Sequence, residues 1–415
     1  MVLEIRLSNF FSIKNEIVLD LRAGNIKTQM ARTLHENTFA YKKEVQILKS
    51  IAIYGANASG KSNIIKAIRF CVTLILQSHT YNENTVFDYV PFKFDGYPNK
   101  ASSFSIRFVI NEVEYEYAFS LKKNEIVTEE LYYYPNGRRA KIFTRNESAG
   151  KEKGDIYSFA SAIRKPMDVA ENTSRKTLYI SRASQMDREI PKAVFRFFDE
   201  QFVLGLKKLN ELFLIFNYEE NKESIIKALQ TADSDIVNFK FNSFKGKDFA
   251  YYAGDIPKDD VQQERLTIST FHKLNPDIAF NFDTEESAGT KLLFHFMMTI
   301  FDVIKSNKIL LIDELDKSLH TKIVEYILSL FYTSDAAQII YTTHNTNLLN
   351  LNKLRKDQIY FVNKKEDASS DLYSLFDYKD FRDTMDVEKA YLQGRFDAIP
   401  YIDDSVENLK SIIHE

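Results

Sequence analysis

A single cysteine, Cys71, is present in this 415-residue sequence. A disulfide framework and a cysteine-based metal site are thereby excluded, and Cys71, set among apolar residues, reads as a small core residue. The sequence also lacks any apolar run approaching the roughly eighteen residues that a membrane span needs. Its first residues, Met1-Val2-Leu3-Glu4-Ile5-Arg6-Leu7, alternate as a strand does and do not resemble a signal peptide. The expectation is a soluble cytoplasmic protein with no membrane partner. Charge of neither sign prevails, since 55 basic residues face 58 acidic ones for a net of −3. That excludes a global electrostatic footprint for nucleic acid and leaves room only for a local patch. There is no internal repeat, and no heptad pattern persists long enough for a long coiled coil.

What is present begins with Gly55-Ala56-Asn57-Ala58-Ser59-Gly60-Lys61-Ser62, which fits the phosphate loop GxxxxGK[ST]. In such a loop backbone N–H groups wrap nucleotide phosphates, and Gly55 and Gly60 permit the tight path. Lys61 would reach the β- and γ-phosphates, and the Ser62 hydroxyl would ligate Mg²⁺. The candidate nucleotide-binding positions are therefore Gly55, Asn57, Ser59, Gly60, Lys61, Ser62 and Asn63. Context agrees: Ser50-Ile51-Ala52-Ile53-Tyr54 reads as a buried strand. Ile64, Ile65, Ile68, Val72 and Ile75 then recur at helical spacing, placing the phosphates on a helix N-terminus.

The remaining pattern predicts an α/β protein with a mixed sheet, an antiparallel β-meander and a helical insertion lobe. Two strands flank Asn9-Phe10-Phe11-Ser12, and period-two alternation through Phe104, Ile106, Phe108 and Ile110, then Val113 to Leu121, marks the meander. Residues 145–176 read as an exposed loop. Phe195, Phe198, Phe202, Leu206, Leu209, Phe213 and Phe216 form a seam at helical steps. The expected division is an N-terminal lobe with the phosphate loop and the meander over 1–160, a helical insertion over 161–262, a C-terminal lobe over 263–363 that completes the nucleotide site and a charged extension over 364–415. The acidic cluster Asp255, Asp259, Asp260 reads as a solvated loop, as do the basic runs Arg138-Arg139 with Lys141 and Lys240 through Lys247.

The second half of the site follows from Ile309-Leu310-Leu311-Ile312-Asp313-Glu314, an apolar strand ending in two carboxylates. Asp313 can hold Mg²⁺ through its water shell, and Glu314 suits a general base for an attacking water. This pair favours hydrolysis of ATP over transfer to a metabolite. Upstream, Glu286-Ser287-Ala288-Gly289-Thr290-Lys291 opens a helix whose N-terminus is an anion site. Downstream, Thr342-Thr343-His344-Asn345 follows another buried strand, and His344 can donate to a phosphate oxygen.

In this order the motifs resemble those of ABC-type ATPases. The resemblance implies that Ser287 and Gly289 belong to a signature that completes a partner's phosphate site, and that His344 senses the γ-phosphate. Asn9-Phe10-Phe11-Ser12 and Gly60-Lys61-Ser62-Asn63 narrow it to the branch with structural-maintenance-of-chromosomes (SMC) and RecF-like heads. Ser287-Ala288-Gly289-Thr290, Ser318-Leu319-His320, Asp357-Gln358-Ile359 and the run from Tyr391 through Gly394-Arg395-Phe396 to Pro400 are similar to bacterial "AAA family" ATPases of abortive-infection and phage-defence operons. That similarity implies Lys61, Glu314 and His344 as catalytic residues, ATP and Mg²⁺ as ligands, and a homodimer or larger homo-oligomer bridged by ATP. It also implies a separately encoded effector, a nuclease of the TOPRIM or HNH type, with DNA or a phage product as trigger. The departures are Glu286, Ala288 and Thr290 within the signature, His320 where transporters carry an aspartate, and no glutamine lid. A RecF- or SMC-like DNA-repair ATPase, an importer motor and a non-hydrolysing scaffold are the alternatives.

Overall fold

The computed structural model describes residues 1–206, 211–232, 235–247, 262–317, 319–379, 381–382 and 385–399, with single positions at 405, 408, 411 and 412. Leu209, Asp255, Asp259, Asp260, Ser318 and Pro400 lie outside the described residues, as do the side chains of Phe213, Phe216 and Lys247. The chain divides into two compact units. Met1–Gly205, Asn307–Asp316 and Phe331–Glu415 form the first; Leu206–Ser306 and Lys317–Leu330 form the second.

The first unit is built on a six-stranded sheet in the order Phe202–Val203, Ile309–Ile312, Gln338–Thr342, Ser50–Gly55, Ile359–Lys364, Ser370–Ser374. The first five strands are parallel and the last is antiparallel. Parallel strands covered on both faces are apolar throughout, and every residue of Ser50–Gly55 and Ile309–Ile312 is buried. Behind the first of these, the helix Lys61–Gln77 buries Ile64, Ile65, Ile68, Val72 and Ile75. Strand order places Ser50–Gly55 beside Gln338–Thr342, so the turns at their carboxyl ends emerge side by side. That is where ligands bind in such sheets.

A second sheet of the same unit runs from Tyr157–Phe159 through Ala140–Asn146, Glu125–Tyr133, Val113–Lys122, Ser102–Ile110 and Val2–Ser8 to Ile17–Asp20, antiparallel throughout. Its period-two face packs as the alternation predicts: Phe104, Ile106 and Phe108 are buried, and the Phe104 and Phe119 rings stack at 5.2 Å. The 145–176 stretch is more than a loop, because Tyr157–Phe159 adds the edge strand of this sheet.

Residues 161–205, expected in a helical insertion, belong to the first unit. The reason is a buried charge network. Glu129 accepts the backbone N–H groups of Tyr179 (2.6 Å) and Ile180 (3.0 Å), while Arg145 donates to the carbonyls of Thr177 (2.8 Å) and Ser174 (2.9 Å). These bonds fasten the start of the helix Tyr179–Gln185 to the meander. The aromatic seam is broken accordingly: Phe198 ends its run in the helix Glu189–Gln201, and Phe202 begins a strand.

The second unit is not purely helical. Ile236–Lys247, Gln262–His272 and Asn275–Asn281 form an antiparallel sheet, with Phe239 stacked on Phe294 at 4.4 Å. A register shift between Ile236 and Asn238 leaves Ile236 and Phe239 both buried, a three-residue step that looks helical in the sequence. Nor is the C-terminal stretch a tail. Ser370–Ser374 completes the parallel sheet's edge, and Phe396 and Tyr391 stack on Phe361 at 4.7 and 5.6 Å. These rings cover a face of the sheet that would otherwise be wet.

Candidate functional site

The loop after Ser50–Gly55 reaches its helix through Gly60, whose φ of 111° is open only to glycine without strain. A Cβ there would meet Ser370 Oγ at 2.0 Å and Ser12 Oγ at 2.6 Å. One at Gly55 would meet the Val362 carbonyl at 2.5 Å. Ala58 also lies in the left-handed region, at φ 61°, and such alternation turns successive N–H groups into an anion-binding concavity. Lys61 is nearly buried and donates to the Gly55 and Ala56 carbonyls, each at 2.8 Å. Burial lowers its pKa to about 8, against the opposing pull of Asp313 and Glu314.

Asp313 leaves the neighbouring strand end and receives two hydroxyls, from Ser62 at 3.1 Å and from Thr342 at 2.7 Å. A carboxylate and a hydroxyl converging in this way are the hard oxygen donors that Mg²⁺ requires. The Thr342 hydroxyl also accepts the Glu314 backbone N–H at 2.7 Å. Glu314 itself is held at φ 56°, unusual for a non-glycine residue and of the kind stored at functional sites. A cavity of about 350 Å³ is lined by Asn57, Ala58, Gly60, Lys61, Ser62, Asn63, Glu314 and His344. Burial and then the Lys61 charge lower the His344 pKa, leaving a neutral ring that can donate a single hydrogen bond.

A family described as "AAA domain, putative AbiEii toxin, Type IV TA system" matches residues 50–350. The chain belongs to this AAA-domain family. Among curated proteins, none matches it significantly. Solved SMC heads are similar to this AAA-domain chain. The head from Thermotoga maritima is 15% identical, over 90% of this chain and 98% of that one, at TM-score 0.42. A head with an extended coiled coil, bound to the C-terminal domain of ScpA derived from Pyrococcus furiosus, is 16% identical over 95% and 98%, at 0.41. A third, bound to the C-winged helix domain of ScpA, is 17% identical over 94% and 99%, at 0.40.

Of the site residues expected in this AAA-domain chain, the phosphate loop, Asp313, Glu314 and His344 come together in the first unit. Ser287 and Gly289 lie in the second, where the Ser287 hydroxyl accepts the Thr290 N–H at 3.0 Å and caps the helix Ala288–Lys305. Three residues that hold the site carried no assigned role in the sequence reading. Thr342 joins Asp313 to Glu314. Ser12 accepts from Asn63 Nδ2 at 2.7 Å, and Ser370 donates to the Ser59 carbonyl at 2.5 Å while its Oγ lies 2.7 Å from Ser12 Oγ, whose own O–H can donate to it. The Asn-Phe-x-Ser element points to Ser12; no motif points to Ser370. Among the described residues no helix is long and apolar enough to cross a membrane.

Proposed function

We propose that this chain is an ATP-hydrolysing switch, active as a homodimer or larger homo-oligomer, that controls a separately encoded effector of a phage-defence system. The observation that carries the enzymatic part is the shared cavity: the phosphate loop, Glu314 and His344 face one space of about 350 Å³. The toxin–antitoxin wording of the family's description supports the biological part.

The loop N–H groups and Lys61 bind the ATP phosphates. Ser62 and Asp313 would hold Mg²⁺, which neutralises phosphate charge when bound. Glu314 takes a proton from water as its oxygen bonds to the γ-phosphorus; the bond to the bridging oxygen breaks, giving ADP and phosphate. Neutral His344 donates to a γ-phosphate oxygen, and positioning with electrostatics supplies most of the rate. Ser287 and Gly289 of one chain complete the site of another, so ATP closes two heads and hydrolysis releases them. The effector is a nuclease under this reading, with DNA or a phage product as trigger.

The test is Glu314→Gln, assayed for turnover and by native mass measurement with ATP. The expected result is near-complete loss of hydrolysis, retained ATP binding and an ATP-dependent dimer. Unchanged turnover would leave only a binding scaffold. A DNA-repair ATPase is the second reading, resting on the basic turn at Arg138 and Arg139. Arg139 is already paired with Glu116 at 2.7 Å, and Lys141 donates to Ser158 at 2.7 Å, which weakens it.

A further inference from the structure

Within the second unit, the residue before the Ser287 cap is held by a charged cluster that the proposed mechanism does not use. The Glu286 side chain is 7% exposed. Its Oε1 accepts the Thr270 hydroxyl and lies 2.8 Å from His272 Nε2. The other ring nitrogen, Nδ1, lies 2.7 Å from Asp235 Oδ1. A neutral imidazole carries one N–H, so it can donate to only one of these carboxylates. Satisfying both requires the imidazolium. The Phe280 ring stands edge-on to His272 at 4.7 Å and closes another side with apolar surface.

We propose that His272 is a positioning residue: charged between Asp235 and Glu286, it clamps the segment entering the helix Ala288–Lys305 and holds Ser287 ready for a partner's phosphate. The inference rests on the ATP-bridged pair proposed above and names a control of its closure. The charged groups acting on His272 are Asp235, leading into Ile236–Lys247, and Glu286; Thr270 and Phe280 are uncharged. Burial opposes the imidazolium, but the bonds to Asp235 and Glu286 outweigh it, so the pKa is raised. The clamp is therefore intact below the ordinary imidazole range near ~6.5. It is lost as pH rises through the raised value, and head closure should weaken with it.

The experiment uses the full chain carrying Glu314→Gln, so that ATP closes but does not leave. Pairing is followed by sedimentation from acid to alkaline pH and expressed against head occupancy, which binding of a fluorescent ATP analogue measures at each pH so that the Lys61 titration is divided out. At equal occupancy the parent should pair more weakly as pH rises. Adding His272→Gln should weaken pairing about ten-fold, within the usual span of coupling between sites, and flatten its pH dependence. Nucleotide binding by the single head should be unchanged. Glu286→Gln, which needs no imidazolium, should also be flat but pair better than His272→Gln. A His272→Gln protein with the parent's pH profile would overturn the clamp. If the parent never pairs, the switch reading fails, and the clamp is judged separately by hydrogen exchange on the monomer. Protection of residues 289–292, corrected for intrinsic rates, should fall with rising pH in the wild type and be low and flat in His272→Gln; equal protection in both would overturn it.

Discussion

Replacing Thr342 by valine keeps the shape of a fully buried side chain and deletes one hydroxyl. That hydroxyl donates to Asp313 at 2.7 Å and accepts the Glu314 N–H at 2.7 Å. Losing a hydrogen bond to a charged acceptor costs about 1.5–3 kcal/mol, and a stranded N–H adds about 1–3 kcal/mol. The two losses share one atom, and the Glu314 N–H is only partly buried, so the combined effect is taken as about 2–4 kcal/mol. Where it falls matters more than its size. Glu314 sits at φ 56°, a conformation that persists only while its surroundings over-determine it. Without the Thr342 bond the backbone relaxes toward an ordinary region and the carboxylate loses its place in the cavity. The expectation is a fall in kcat of about 10²-fold, or ~2.7 kcal/mol of barrier, with KM for ATP within about three-fold. Thr342→Ser, which keeps the hydroxyl, should stay within a few-fold of wild type. Steady-state ATP turnover measures both, and thermal melting checks folding. A folded Thr342→Val protein with wild-type kcat would refute the role given to this bond.

Two further expectations follow from buried charges. With a Lys61 pKa of about 8, the ammonium that binds phosphate is already present below pH 8. Above it, binding must restore a proton, so ATP affinity should fall by up to about ten-fold per pH unit, whereas Lys61→Arg stays flat because guanidinium does not titrate there; titrations at pH 7, 8 and 9 decide this. Arg145→Met would take the paired cation from the fully buried Glu129 (3.6 Å) and from Glu147 (2.6 Å) and leave the carbonyls of Ser174 and Thr177 without its donors. The expected loss is about 3–5 kcal/mol, read as a lower melting temperature and faster hydrogen exchange over residues 174–180, with ATP binding retained at low temperature.

Much of this protein is readable along the chain because the relevant physics is local. A phosphate loop needs glycines, a lysine and a hydroxyl within eight positions, and Ser50–Gly55 and Ile309–Ile312 announce burial on both faces by their near-continuous apolar runs. The alternation from Phe104 to Leu121 likewise states its own pairing. Other features depend on partners far away in sequence. Ser370 meets Ser12 and the phosphate loop only because Ser370–Ser374 folds back beside Ile359–Lys364, and nothing near Ser370 signals it. Residues 174–180 join the meander because Glu129 and Arg145 bury their charges in that backbone, an attraction invisible to periodicity. The C-terminal aromatics read as fragments of a tail until Phe361 supplies the face they cover. Local pattern determined which chemistry the chain carries; tertiary packing decided which distant side chains hold that chemistry in place, since burial makes an unpaired charge or hydroxyl too costly to leave alone.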